Sequence, residues 1–164
     1  MLDWDLLDPT PAFFEVESVL KESRSVADKQ SSRRVPEMSE VRALIVDDSS
    51  VMRKIIERAL RQAGLNSLVA FEAGSGIEGL ELLKTKQFDL ILSDINMPSM
   101  DGLEFVRQIR AQDLARGVPV VMITTESSEE HVKQAIRAGA RGYIRKPFTA
   151  DQVKERVLPL IHAG

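Results

Sequence analysis

The chain contains no cysteine, and only one tryptophan and one tyrosine among its 164 residues. Lack of cysteine excludes disulfides and thiolate metal centres and fits a reducing compartment, so the cytoplasm is the expected location. A basic excess is missing too. Lysine and arginine number 22 against 25 aspartates and glutamates, net −3, which offers no electrostatic footprint for nucleic acid. No apolar run approaches the roughly 18 residues a membrane span would need. The start, Met-Leu-Asp-Trp-Asp, is acidic and has neither the basic nor the apolar region of a signal peptide. What is present is globular in character, 43% hydrophobic and 29% charged. The length suits one domain with a full core and is short for two large ones.

Charge and periodicity change near residue 40. Residues 1–40 carry nine acidic and five basic side chains, whereas the remainder carries 16 and 17. Within this extension, Thr10 at a cap and Pro11 at the first helical position predict a short helix near 11–23. Phe13, Val16 and Leu20 give it one apolar stripe. The stripe suits a docking helix for a partner or for the main domain; it equally suits a weakly ordered tail. Residues 21–40 are polar with few large apolar groups and read as a mobile linker. Met38 is an alternative start, because the first strand begins just after it.

From Val41 onward the pattern alternates. Short apolar runs at 41–46, 67–71, 89–93, 118–123 and 141–145 are separated by amphipathic stretches. These stretches fall at about 50–63, 75–86, 101–111, 128–138 and 150–161. Five β-α units predict an α/β domain over 41–161, a five-stranded parallel sheet with helices on both faces. Right-handed crossovers make it doubly wound. Gly64 and Gly139 fall just past helix ends, where a left-handed cap is wanted.

In such sheets, binding groups gather beyond the carboxyl ends of the strands. Asp47 and Asp48 follow the first strand, Asp94 the third, Thr124 ends the fourth and Lys146 follows the fifth. The fold itself therefore delivers three carboxylates, a hydroxyl and an ammonium to one edge. Three close carboxylates repel one another unless a cation intervenes, and hard oxygen donors of this number favour Mg²⁺. With Lys146 opposite, the oxygens of an incoming phosphoryl group would be neutralised and Thr124 could donate to one of them. That is what phosphoryl transfer requires, with an ionised aspartate as nucleophile. Asp94, on a central strand with Asp47 and Asp48 beside it, is the candidate acceptor.

Each residue has a plainer reading. The Asp47-Asp48 pair before Ser49-Ser50 could cap the first helix. Asp94 could be a turn aspartate, Thr124 a β-branched strand residue, and Lys146 an exposed lysine before a loop. Their joint placement at four strand ends is what favours a site. A competing motif lies upstream: Gly74-Ser-Gly76-Ile-Glu-Gly79 fits G-x-G-x-x-G after a strand, with Asp94 20 positions beyond Gly74. It occupies the second β-α unit, however, and only two strands follow that of Asp94. A six-stranded dinucleotide fold does not fit, and a nicotinamide enzyme would leave the strand-end cluster unexplained.

The motifs IVDDSSVMRKII, DLILSDINMPSMDGLEF, VVMITTESS and AGARGYIRKPF, in this order, resemble the receiver domain of two-component response regulators. The resemblance covers about 41–161 and is nearest to stand-alone, chemotaxis-type regulators. It implies a flavodoxin-like strand order 2-1-3-4-5 and phosphorylation of Asp94 by a histidine kinase or phosphotransfer protein. It also implies Mg²⁺ held by Asp48, Asp94 and the backbone carbonyl of Asn96, with Asp47 acting through water. Lys146, before a cis bond to Pro147, would contact the phosphoryl group. Thr124 and Tyr143 would form a switch pair reshaping the face of the fourth helix, fifth strand and fifth helix, where a downstream protein docks. Asn96 and Glu126 occupy positions that tune hydrolysis. The resemblance implies self-phosphorylation and autodephosphorylation only, without turnover of outside substrates, nucleic acid or membrane.

Three other roles stay open at the level of sequence. A phosphorelay intermediate or phosphate sink would use the same site. An aspartyl-phosphate-forming phosphatase usually carries a second aspartate two residues after the nucleophile, where this chain has Asn96. A pure interaction module would not need the full constellation. His131 and His162 read as surface residues on exposed helices, with His131, Gln134, Arg137 and Arg145 on the output face.

Overall fold

Alternation along the strands decides the architecture. In the computed structural model, which describes residues 40–126 and 128–162, the first strand β1 runs Glu40–Val46. Leu44 and Val46 point to one core, and Val41, Ala43 and Ile45 to the other. A strand apolar on both sides must be covered on both sides, and the helices follow from that.

The element order is β1, α1 (Ser50–Gln62), β2 (Ser67–Ala73), α2 (Gly76–Thr85), β3 (Leu90–Ser93), α3 (Gly102–Ala111), β4 (Val120–Thr124), α4 (Glu129–Ala138), β5 (Gly142–Arg145) and α5 (Ala150–His162). All pairings are parallel and the sheet order is β2-β1-β3-β4-β5. This is the doubly wound five-stranded sheet that the sequence predicts, with the strand order that the family resemblance implies. One layer holds α1 and α5, whose Ile56, Leu60, Val153 and Val157 cover Ile45, Leu92 and Ile123. The other holds α2, α3 and α4, with Leu80, Leu83, Phe105, Ile109 and Ala135 over Leu44, Ile91 and Met122.

The chain crosses one face after β1 and the other after β2, so the switch point lies between β1 and β3. β3 and β4 are buried along their whole length, as continuous apolar runs predict. Gly64 and Gly139 both have φ of 121°, the left-handed closure expected of them. The predicted helix near 11–23 and the linker over 21–40 lie outside the described residues, apart from Glu40, which opens β1.

The glycine-rich motif is resolved by packing. Gly76 and Gly79 are buried in α2, and a Cβ on Gly79 would lie 2.9 Å from the Phe105 ring and 3.3 Å from Val46. Small residues here let α2 approach the sheet and α3. The helix start is already served from within the chain: Ser75 Oγ accepts from the Glu78 amide at 3.1 Å, and the Glu78 carboxylate accepts from the Gly74 amide. The motif also follows β2, an edge strand, and stands away from the switch point.

Candidate functional site

Beyond the carboxyl ends of β1, β3 and β5 the side chains converge as the sequence predicts. Asp47, Asp48 and Asp94 each offer a carboxylate oxygen, and the three oxygens lie within 4.8 Å of one another. Asp47 is 1% exposed and Asp94 8%, while Asp48 opens to solvent. The Lys146 ammonium reaches in from the end of β5. Its Nζ is 2.9 Å from Asp47 Oδ2 and 3.3 Å from Asp94 Oδ2, with 11% of the lysine side chain exposed. The Lys146-Pro147 bond is cis.

The plainer reading of the aspartate pair does not hold. Ser49 caps α1, its Oγ accepting from the Met52 amide at 3.1 Å. Asp47 Oδ1 accepts from the Ser49 amide at 2.9 Å, which orients the carboxylate and leaves Oδ2 to Lys146. Asp94 is held similarly. Its Oδ1 accepts from the amides of Ile95 at 2.7 Å and Asn96 at 3.3 Å, and its Oδ2 faces the lysine.

Thr124 is fully buried at the end of β4, and its Oγ1 accepts from the Glu126 amide at 3.2 Å. Tyr143, on β5, donates its phenol to the Glu126 carbonyl. Burial raises the Tyr143 pKa, and the negative charges of Glu126 and Asp94 add to this, so the phenol stays protonated and donating. The Asn96 amide nitrogen lies 3.3 Å from Glu126 Oε2. Asp47, Asp48, Asp94, Asn96, Thr124, Glu126 and Lys146 thus lie at this edge, and Tyr143 reaches the Glu126 carbonyl from within β5.

Two residues make contacts at the site that the sequence does not reveal. Arg53, on α1, donates from Nη1 to the Asp47 carbonyl and from Nε to Glu72 Oε1 at 2.8 Å. It ties the loop that carries the two aspartates to β2. His131 is at the surface, as it reads in sequence, with a contact that the sequence does not show. It is partly covered, and its Nδ1 lies 3.2 Å from Glu126 Oε1. The side chain of His162 lies outside the description.

Charge decides what the pocket suits. One ammonium balances three carboxylates, and the donors are hard oxygens converging at one solvent-open point. This set fits a small divalent cation such as Mg²⁺, with Asp48 the solvent-open member.

Comparison with known proteins agrees with the geometry. The family model described as "response regulator receiver domain" matches residues 43–158. Chemotaxis protein CheY-3 of Vibrio cholerae is 43% identical over 117 residues, covering 71% of this chain and 88% of that protein. Chemotaxis protein CheY of Pseudomonas aeruginosa is 39% identical over 117 residues, 71% of this chain and 93% of that one. Among solved structures, Vibrio cholerae CheY4 superposes with a TM-score of 0.64 at 35% identity, covering 71% of this chain and 94% of that one. The receiver domain of a sensor histidine kinase from Pseudomonas aeruginosa, with a magnesium ion coordinated in its active-site cleft, gives 0.66 at 28% identity, covering 75% and 98%. The chain belongs to the response regulator receiver domain family, in its chemotaxis-type branch.

Proposed function

We propose that this protein is a response regulator that takes a phosphoryl group from a histidine kinase or phosphotransfer protein onto Asp94 and thereby controls a partner protein in chemotaxis-type signalling. The observation that carries this reading is the pairing of Asp94 with Lys146 at 3.3 Å, inside a carboxylate cluster at the switch point of the sheet. In the transfer, an Asp94 carboxylate oxygen forms the new P–O bond as the donor's P–N bond breaks. Lys146 neutralises one phosphoryl oxygen and the Thr124 hydroxyl turns to donate to another. Asp48, Asp94 and the Asn96 carbonyl would hold Mg²⁺, with Asp47 acting through water. When bound, the ion supplies positive charge for the remaining phosphoryl oxygens and relieves repulsion among the aspartates.

Thr124 and Tyr143 form the switch. Once Thr124 Oγ1 turns to the phosphoryl group it gives up the Glu126 amide, and Tyr143, which donates to the carbonyl of the same residue, turns inward. Two conformations exist, and phosphoryl contacts favour one of them. The readout surface is the groove between α4, β5 and α5, lined by Val132, Tyr143, Arg145, Gln152 and Arg156. Residues 41–161 carry this function in the cytoplasm, and residues 1–40 are an extension to it. No helix among the described residues is long and apolar enough to cross a membrane. The same site would serve a phosphorelay intermediate or phosphate sink, which differ only in where the phosphoryl group goes next.

The test is incubation with labelled acetyl phosphate. The protein is expected to take up a hydroxylamine-labile label with Mg²⁺ present and to lose that capacity in EDTA. A wild-type protein that stays unlabelled with Mg²⁺ would contradict the proposal.

A further inference from the structure

Glu126 is held at more points than a loop glutamate needs. Its amide donates to Thr124 Oγ1 at 3.2 Å, its carbonyl accepts from Tyr143, and its carboxylate has a partner on each oxygen. Oε2 accepts from the Asn96 amide nitrogen at 3.3 Å, and Oε1 lies 3.2 Å from His131 Nδ1. Four partners therefore converge on one residue, two on its backbone and two on its carboxylate, and only a third of its side chain is exposed. Such pinning fixes a position, because an isolated exposed pair of this kind contributes little stability.

The position is informative. Asn96 stands two residues after Asp94, and Glu126 two after Thr124. Their contact joins the loop after β3 to the loop after β4, beside the place where a phosphoryl group on Asp94 would sit. His131 holds the far end of this bridge. Its ring is itself oriented by the start of α4, where Ser128 Oγ accepts from the His131 amide at 3.2 Å and lies 2.6 Å from Nδ1. The Ser128 hydroxyl can serve either tautomer, whereas the Glu126 carboxylate can only accept and so favours the proton on Nδ1. With the proton on Nδ1, the ring donates to both oxygens. With the proton on Nε2, the Nδ1 lone pair would face a carboxylate oxygen.

We propose that His131 is a positioning residue for hydrolysis at phosphorylated Asp94: its Nδ1–H holds the Glu126 carboxylate across to Asn96, and this bridge restrains the approach of water to the phosphoryl group. The proposal rests on the reading of Asp94 as the acceptor. It makes α4 a determinant of how long the signal lasts, through a residue that touches neither the phosphoryl group nor the metal.

The experiment labels the full chain with acetyl phosphate and Mg²⁺, removes the donor, and follows first-order loss of label. It compares wild type, His131→Ala, His131→Asn, Glu126→Ala and the Glu126→Ala/His131→Ala double variant. His131→Ala is expected to lose label about three- to tenfold faster, the effect of one lost charge-assisted hydrogen bond on a barrier. His131→Asn should return to within about twofold of wild type, since its amide nitrogen can stand in for Nδ1. The double variant should decay no faster than Glu126→Ala alone, because the two residues act as one unit. Decay of His131→Ala at the wild-type rate or slower would overturn the proposal, and so would a His131→Asn variant as fast as His131→Ala. Wild type that takes up no label would instead remove the reading of Asp94, and this inference with it.

Discussion

Replacing Asp94 by asparagine is expected to lower acetyl phosphate labelling by at least about 100-fold while leaving the fold in place, because the change removes the nucleophile and little else. The amide oxygen of an asparagine can still accept from the Ile95 and Asn96 amides, as Asp94 Oδ1 does at 2.7 and 3.3 Å. Lys146 keeps Asp47 at 2.9 Å as its partner. One of three mutually repelling carboxylates becomes neutral, which offsets the lost lysine contact. The thermal midpoint should therefore move by no more than a few degrees. Scintillation counting of the washed protein, beside a melting curve on the same sample, checks both halves. Full labelling of Asp94→Asn would place the acceptor elsewhere.

The second large effect is on stability, and it arises behind the site. Gly102 begins α3 with its backbone pressed against the strand end that carries Asp94. Its amide donates to the Ile95 carbonyl at 2.7 Å. A Cβ there would lie 2.1 Å from the Asp94 carbonyl oxygen and 2.8 Å from Ile95 Cα. Both are backbone atoms, so no side-chain rotation relieves the clash. Gly102→Ala should cost about 3 kcal/mol, the upper part of the range for overpacking, and lower the thermal midpoint by roughly 10 °C. Because relief requires moving the Asp94–Asn96 segment, the surviving folded protein should also label more slowly. Urea unfolding with an unchanged slope gives the first number. A loss below about 0.5 kcal/mol would mean that α3 is free to shift away from the strand.

These two residues also mark what could be read from the sequence. Asp94 was legible because position along a strand is a one-dimensional property. A run of buried residues ends, and the next side chain faces the crevice. The same rule found Asp47, Asp48, Thr124 and Lys146, and the alternation of apolar runs with amphipathic stretches also gave the sheet with helices on both faces. Gly102 was not singled out, since closeness between a helix start and a neighbouring strand end depends on the crossing of α3 over the sheet. The contacts of Arg53 and His131 were missed for a related reason. Each acts through a side chain that leaves its own helix to meet another element, and no spacing in the sequence encodes that reach. The G-x-G-x-x-G pattern misleads in the opposite direction. Gly79 answers a packing need against Phe105 and Val46 and Gly76 one against Met100, and pattern alone does not separate close approach of a side chain from close approach of a phosphate.

Chemical trapping of the acyl phosphate tests the central claim most directly. Wild-type protein phosphorylated by acetyl phosphate with Mg²⁺ is reduced with borohydride, which converts an aspartyl phosphate to homoserine, and the modified position is found by peptide mass spectrometry. The account predicts homoserine at position 94 alone, dependent on Mg²⁺ during labelling. Homoserine at position 47, 48 or 101, or none in a protein that carries label, would contradict it.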